Sequence, residues 1–216
     1  MKSDSRDSDD LLRRIEHGDR IALADYFERQ RSRLKEMVRF RMDRRLQGRL
    51  DASDVLQEAY VDIARRLPEY QRSTSIPLYL WIRQLVAQRL VDLHRFHLGA
   101  AMRDASQEVS LFRGALPQAT SVSLAAQLLG KLASASEEAM RAEAQTRVQE
   151  ALNSMDQVDR EVLALRHFEM LSNDETAQLL GLKKSAASNR YIRALKRLKA
   201  ILTVEDGATN SSGSER

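Results

Sequence analysis

The segment SNDETAQLLGLKKSAASNRYIRALKRL, residues 172–198, sets two amphipathic stretches on either side of one glycine. Ser172 and Glu175 have capping-box spacing, so the hydroxyl and the carboxylate can each satisfy a backbone amide at a helix start. Ala177, Leu179 and Leu180 give that short helix an apolar side. Gly181 stands just past it, where a left-handed backbone is often required. Leu182 is placed to plug the corner, and a second helix starts near Lys184. In that helix Ala187, Tyr191, Ala194 and Leu198 recur at four, three and four residues and share one buried face. The spacing therefore predicts a helix-turn-helix.

The charges of this segment are one-sided. After Asp174 and Glu175 no acid occurs until Glu205, while Lys183, Lys184, Arg190, Arg193, Lys196, Arg197 and Lys199 accumulate. A helix that approaches phosphates must lack acids, which would be repelled by the nucleic-acid backbone. Short polar side chains near its start, Ser185, Ser188 and Asn189, can reach base edges in a major groove. Lys184, Arg190, Arg193, Lys196 and Arg197 can hold phosphates and fix register. The competing reading is a basic helix face that is merely solvated.

Working outward, residues 147–171 continue the helical period through Val148, Leu152, Met155, Val162, Leu163, Leu165 and Phe168, enough for two helices. With the segment above they make a four-helix unit over 147–203. Residues 204–216, VEDGATNSSGSER from its second residue, are polar and small and are expected to be disordered. Upstream, residues 98–146 are rich in Ala, Ser, Gln and Gly, and read as a linker with short helices near 123–132 and 137–145. Residues 9–97 are again periodic. Leu11, Leu12 and Ile15 form one stripe, then Gly18 and Asp19 break it. Leu23, Tyr26, Phe27, Leu34, Met37 and Val38 continue a second helix. A third starts at a cap on Asp51 or Ser53, buries Val55, Leu56, Ala59, Ile63 and Leu67, and is expected to end at Pro68. A fourth follows Pro77. The fold class expected is all-α, with two helical domains joined by a linker.

Composition bounds the rest. The chain has 216 residues, a formal charge of +4, eight glycines, three prolines and no cysteine, which excludes disulfide, thiolate and zinc-thiolate chemistry. The first ten residues, MKSDSRDSDD, lack the apolar run of a secretory signal. No apolar run approaches the ~18 residues of a membrane span. Asp51, Asp54, Glu58 and Asp62 could suggest a metal-dependent nuclease, and His94 with His97 a metal pair, but no second element completes either set. No phosphate-binding glycine loop or nucleophile–base signature occurs. The expectation is a non-enzyme with no metal and no cofactor.

Three stretches then show a resemblance. LNSMDQVDREVLALRHFEMLSNDETAQLLGLKKSAASNRYIRALKRLKAIL resembles the C-terminal promoter-binding domain of bacterial sigma factors. DASDVLQEAYVDIARRLPEY and PLYLWIRQLVAQRLVDLHRFH resemble the sigma segments that bind the RNA polymerase clamp and that recognise and melt the upstream half of the promoter bubble. The order, and the absence of any further domain between the halves, resemble the extracytoplasmic-function type of the sigma-70 family. The resemblance implies that Asp54, Gln57, Glu58 and Asp62 dock core RNA polymerase. It implies that Arg83, Gln88, Arg89, His94 and Arg95 face promoter DNA near the melted region, and that Gln71, Arg72, Ser73 and Thr74 surround a flipped base. Trp81 is expected to pack inward. It further implies a cytoplasmic protein whose partners are core polymerase, promoter DNA and an anti-sigma factor, with no membrane. Lys183 stands where the family commonly has a Ser or Thr cap, and Ala186–Ala187 where it commonly has Thr-Val. The alternative left open is a helix-turn-helix regulator that acts without core polymerase.

Overall fold

The computed structural model describes residues 2–43, 45–46, 48–72, 76–98, 121, 124–125 and 138–203. The chain divides into two compact units, Met1–Pro117 and Gln118–Arg216. All regular elements among the described residues are helical.

The first unit holds α1 (Lys2–Glu16), α2 (Arg20–Arg41), α3 (Ala52–Arg72) and α4 (Leu78–Leu98). Helix α1 ends where Gly18 takes a φ of 87°, a conformation that costs a side-chain-bearing residue about 1 kcal/mol or more. Asp19 then opens α2 by accepting from the amides of Ile21 (2.9 Å) and Ala22 (3.0 Å), and Arg14 closes on the same carboxylate at 2.7 Å. The Asp19 amide bonds hold its carboxyl below the usual carboxylate range, with Arg14 adding to them against the opposing effect of desolvation. Asp51 caps α3 through the Ser53 amide at 2.6 Å, whereas the Ser53 hydroxyl accepts from Lys35 Nζ. Of the two expected cap residues, Asp51 is the one that caps.

Helix α4 packs against α2 and α3, so much of its circumference is covered. Ile82, Val86 and Leu90 are fully buried, each a gain of about 1.5–3 kcal/mol over exposure. Trp81 is half-buried, its ring 5.0 Å from that of Tyr70.

Pro68 does not end α3; it lies inside the helix, which runs on to Arg72. The final turn is held by long-range ties. Tyr70 is buried and its hydroxyl donates to the Ile76 carbonyl. Gln71 Nε2 donates to the carbonyls of Ile15 (3.3 Å) and Glu16 (2.8 Å) at the end of α1. These contacts offset the hydrogen bond that proline cannot donate.

The second unit holds α5 (Glu138–Asn153), α6 (Gln157–Leu163) continued by a π-helical turn (Ala164–Phe168), α7 (Asn173–Leu180) and α8 (Lys184–Thr203). Arg160 Nη1 donates to the carbonyls of Leu152, Asn153 and Met155 at the end of α5, where a cation complements the helix dipole. The π turn closes with the Glu169 amide on the Ala164 carbonyl, and the Leu171 amide then reaches the Leu165 carbonyl. Between them Met170 has a φ of 57°. The expected linker helix near 137–145 is the start of the longer α5. Most of the expected linker, including 126–132, and the tail from 204 lie outside the described residues.

Candidate nucleic-acid interface

The helix-turn-helix forms as its local signals require. The Ser172 hydroxyl accepts from the Glu175 amide at 3.1 Å, and the Glu175 carboxylate accepts from the Ser172 amide at 2.7 Å. Gly181 takes the left-handed conformation at φ 61°, ψ 35°. The Leu182 amide donates to the Ala177 carbonyl at 2.8 Å across the corner. Leu182 itself is half-buried. Ala187, Ala194 and Leu198 are buried and Tyr191 half-buried, so α8 rests on the expected face. Asn173 Nδ2 donates to the Lys184 carbonyl and Lys184 Nζ lies 2.5 Å from Asp174, tying the start of α8 to α7.

On the outward side Lys184, Ser185, Asn189, Arg193, Lys196 and Arg197 are exposed, and Ser188 and Arg190 half-exposed. Two of these cations are already engaged by acids from α6. Arg190 Nη1 donates to Asp159 Oδ1 at 2.6 Å and to Asp156 Oδ1 at 3.1 Å. Arg193 donates from Nε to Asp159 Oδ2 at 3.0 Å and from Nη2 to Asp159 Oδ1 at 2.9 Å. Burial pushes the Asp159 carboxyl up, but the hydrogen bonds and charges of Arg193 and Arg190 outweigh it, and the group stays below the usual carboxylate range. Sequence reasoning gave no role to Asp156 or Asp159. The one signal was a pair of acids three residues apart at the head of α6. Nothing local shows that their partners stand 31 and 34 residues further on.

In the first unit the expected residues divide. Asp54, Gln57 and Glu58 are exposed on α3 and Asp62 is half-exposed, 3.9 Å from Arg65. Gln57 also lines a groove with Ala24, Phe27, Glu28, Arg31 and Tyr60. Glu58 accepts from Arg89 Nε at 2.7 Å and from Arg89 Nη2, so a residue expected to meet polymerase is paired with one expected to meet DNA.

Gln88 and Arg89 are half-exposed and Arg95 exposed on α4, but Arg83 and His94 are buried. They share the apolar period of Val86, Leu90 and Leu93, which carries them inward, so they are not part of an outward DNA face. His94 Nε2 accepts from the Asp43 amide at 3.3 Å. Burial lowers its pKa and Arg45 adds to that, against the attraction of Asp43, whose own carboxyl Arg45 pulls to about 2. His97 is exposed, so the two histidines do not converge as a metal pair. The Gln71 amide nitrogen is committed to the end of α1, which removes its donor from a base pocket. Arg72 is exposed at the end of α3; Ser73 and Thr74 lie outside the described residues.

A helix-turn-helix with an acid-free outward helix defines a DNA-binding class. Residues 145–198 match the family model described as Sigma-70, region 4. The chain is 31% identical over 182 residues to the ECF RNA polymerase sigma factor SigD of Mycobacterium tuberculosis, covering 84% of this chain and 77% of that protein. It is 25% identical over 200 residues to SigK of the same organism, covering 93% and 96% of the two chains. The solved structure of CnrH in complex with the cytosolic domain of CnrY is similar at 21% identity over 90% of this chain and 96% of that one; its TM-score of 0.49 adds no weight. The chain belongs to the extracytoplasmic-function RNA polymerase sigma factors. No helix among the described residues is long and apolar enough to cross a membrane.

Proposed function

We propose that this chain directs core RNA polymerase to two-part promoters in the cytoplasm and assists strand opening through binding energy, contributing no catalytic group. The proposed binding units are 9–97 and 147–203, with 98–146 joining them. Helix α8 lies in the major groove of the upstream element. Ser185, Ser188 and Asn189 meet base edges, Lys184, Lys196 and Arg197 lie along phosphates, and Arg190 and Arg193 read the upstream element beside Ser188 and Asn189. On α3, Asp54, Gln57, Glu58 and Asp62 meet a basic surface of the polymerase, where complementary charge speeds and orients docking. Gln88, Arg89, Arg95 and Arg72 face the melted region. An anti-sigma factor that occludes these surfaces belongs to the same reading.

The observation that carries this is the exposed, acid-free side of α8, presented by a helix-turn-helix whose first helix is capped at both ends. Because the units are tethered, two modest interactions reinforce each other at high local concentration. The test is run-off transcription with core polymerase that lacks its own specificity subunit, on a fragment library of the source genome. Initiation at a discrete set of sites is expected only when the chain is added. A mixture that initiates nowhere refutes the reading.

A further inference from the structure

We infer that Asp159, which has no DNA contact in the reading above, is a positioning residue for promoter recognition: its single carboxylate holds the guanidiniums of Arg190 and Arg193 at fixed spacing on the DNA-facing helix. The inference rests on the proposed placement of α8 in DNA and adds to it the device that aims the helix.

The carboxylate is well suited to this task. Its side chain is 9% exposed, and α6, which carries it, packs directly on α8. Asp156 caps α6 by accepting from the Val158 amide at 2.9 Å, and the same oxygen also takes Arg190. The acceptors are therefore fixed to the frame of the unit. Arg193 meets Asp159 along one edge, through Nε and Nη2. Its side chain is 61% exposed, and neither of these bonds uses Nη1. A guanidinium held on one edge by a carboxylate is preorganised to offer its remaining donors to a guanine edge, a contact that only the preferred sequence supplies.

Arg190 and Arg193 lie three residues apart on α8, close enough for their like charges to repel. Asp159 offsets part of that repulsion and removes rotamer freedom that each arginine would otherwise lose on binding.

Simple electrostatics gives the opposite sign, which makes the inference testable. Removing an acid beside a DNA-facing helix should strengthen binding to any duplex. Removing a positioning group should weaken binding to the preferred sequence while leaving other sequences unchanged or tighter.

The experiment uses holoenzyme reconstituted from the full chain and core polymerase. An upstream element is first enriched from promoter fragments randomised in that region. Affinities for the enriched and a scrambled fragment are then compared for wild type, Asp159→Asn, Arg193→Ala and the double variant. Asp159→Asn is expected to lose roughly tenfold on the enriched fragment, the loss of about one charge-assisted contact, and nothing on the scrambled one. In the Arg193→Ala background the same change should cost much less, because part of its effect runs through Arg193. Should Asp159→Asn fail to fold, Asp159→Glu carries the test. It keeps the charge but shifts the acceptors by one methylene, so it should lose selectivity in the same direction, and unchanged selectivity overturns the inference.

Equal or tighter binding of Asp159→Asn to both fragments overturns the inference. So does an equal loss on both, or full additivity with Arg193→Ala. A wild-type holoenzyme that initiates but enriches no upstream sequence overturns the placement of α8, and the inference with it.

Discussion

Among the described residues of the second unit, two occupy the left-handed region, and one of them is not glycine. Gly181 has a φ of 61° at the end of α7, and Met170 a φ of 57° after the π turn. Replacing Met170 by glycine removes a backbone cost of about 1–2 kcal/mol. It adds back roughly 0.5–1 kcal/mol through the freedom glycine gains in the unfolded chain. Met170 is 70% exposed, so little packing is lost. The expected net effect is a gain of about 0.5–1 kcal/mol. Gly181→Ala reverses the arithmetic and should lose about the same.

Urea unfolding of the full chain separates these effects from any change in the first unit. Trp81, the one tryptophan, lies in the first unit, and its fluorescence reports that unit alone. Far-UV circular dichroism follows both. For a slope of about 1–2 kcal/mol per molar urea, Met170→Gly should raise the midpoint of the second unit by roughly 0.5 M. The Trp81 transition should not move. A Met170→Gly chain that unfolds at lower urea than wild type refutes the reasoning, because it would mean that the exposed side chain stabilises the turn by more than its backbone costs.

Ser172→Ala removes the hydroxyl from the capping box and should destabilise the second unit by about 1 kcal/mol, again with the Trp81 transition unmoved; an unchanged dichroism midpoint would show that the box adds nothing. His94 predicts a pH effect in the first unit. Its folded pKa is lowered, chiefly by burial, so the neutral form belongs to the folded state and the unfolded chain takes up the proton first. Its contribution is present above about pH 6.5 and lost as pH falls below that value. His94→Gln should flatten the fall in the Trp81 unfolding midpoint between about pH 7.5 and 5.5; an identical fall in both chains would exclude His94 as its source.

What the sequence disclosed and what it hid divide by the range of the interaction. The cap at Ser172 and Glu175, the glycine corner and the buried stripe of α8 act over one to four residues, and each was legible as spacing. The extension of α3 past Pro68 was not, because Gln71 is held by a carbonyl 55 residues upstream. Asp159 was equally silent, since its meaning lies in arginines on another helix. Met170 was silent too: residue type argues against a left-handed backbone there, and its φ of 57° follows the π turn.

Arg83 and His94 teach the most useful distinction. The resemblance implied an outward, DNA-facing role for them, yet the period of Val86, Leu90 and Leu93 already placed both on the inner side of α4. On a helix packed against two neighbours, position in the apolar register governs burial more strongly than side-chain type, because turning one polar group outward would rotate several apolar residues into water at about 1.5–3 kcal/mol each. The same rule applied to α8 leaves Arg193, Lys196 and Arg197 outside, since Ala187, Ala194 and Leu198 fix the opposite side to the unit's interior. The outward cations of α8 are thus a consequence of its register, and Asp159 can organise two of them because packing has already brought them within its reach.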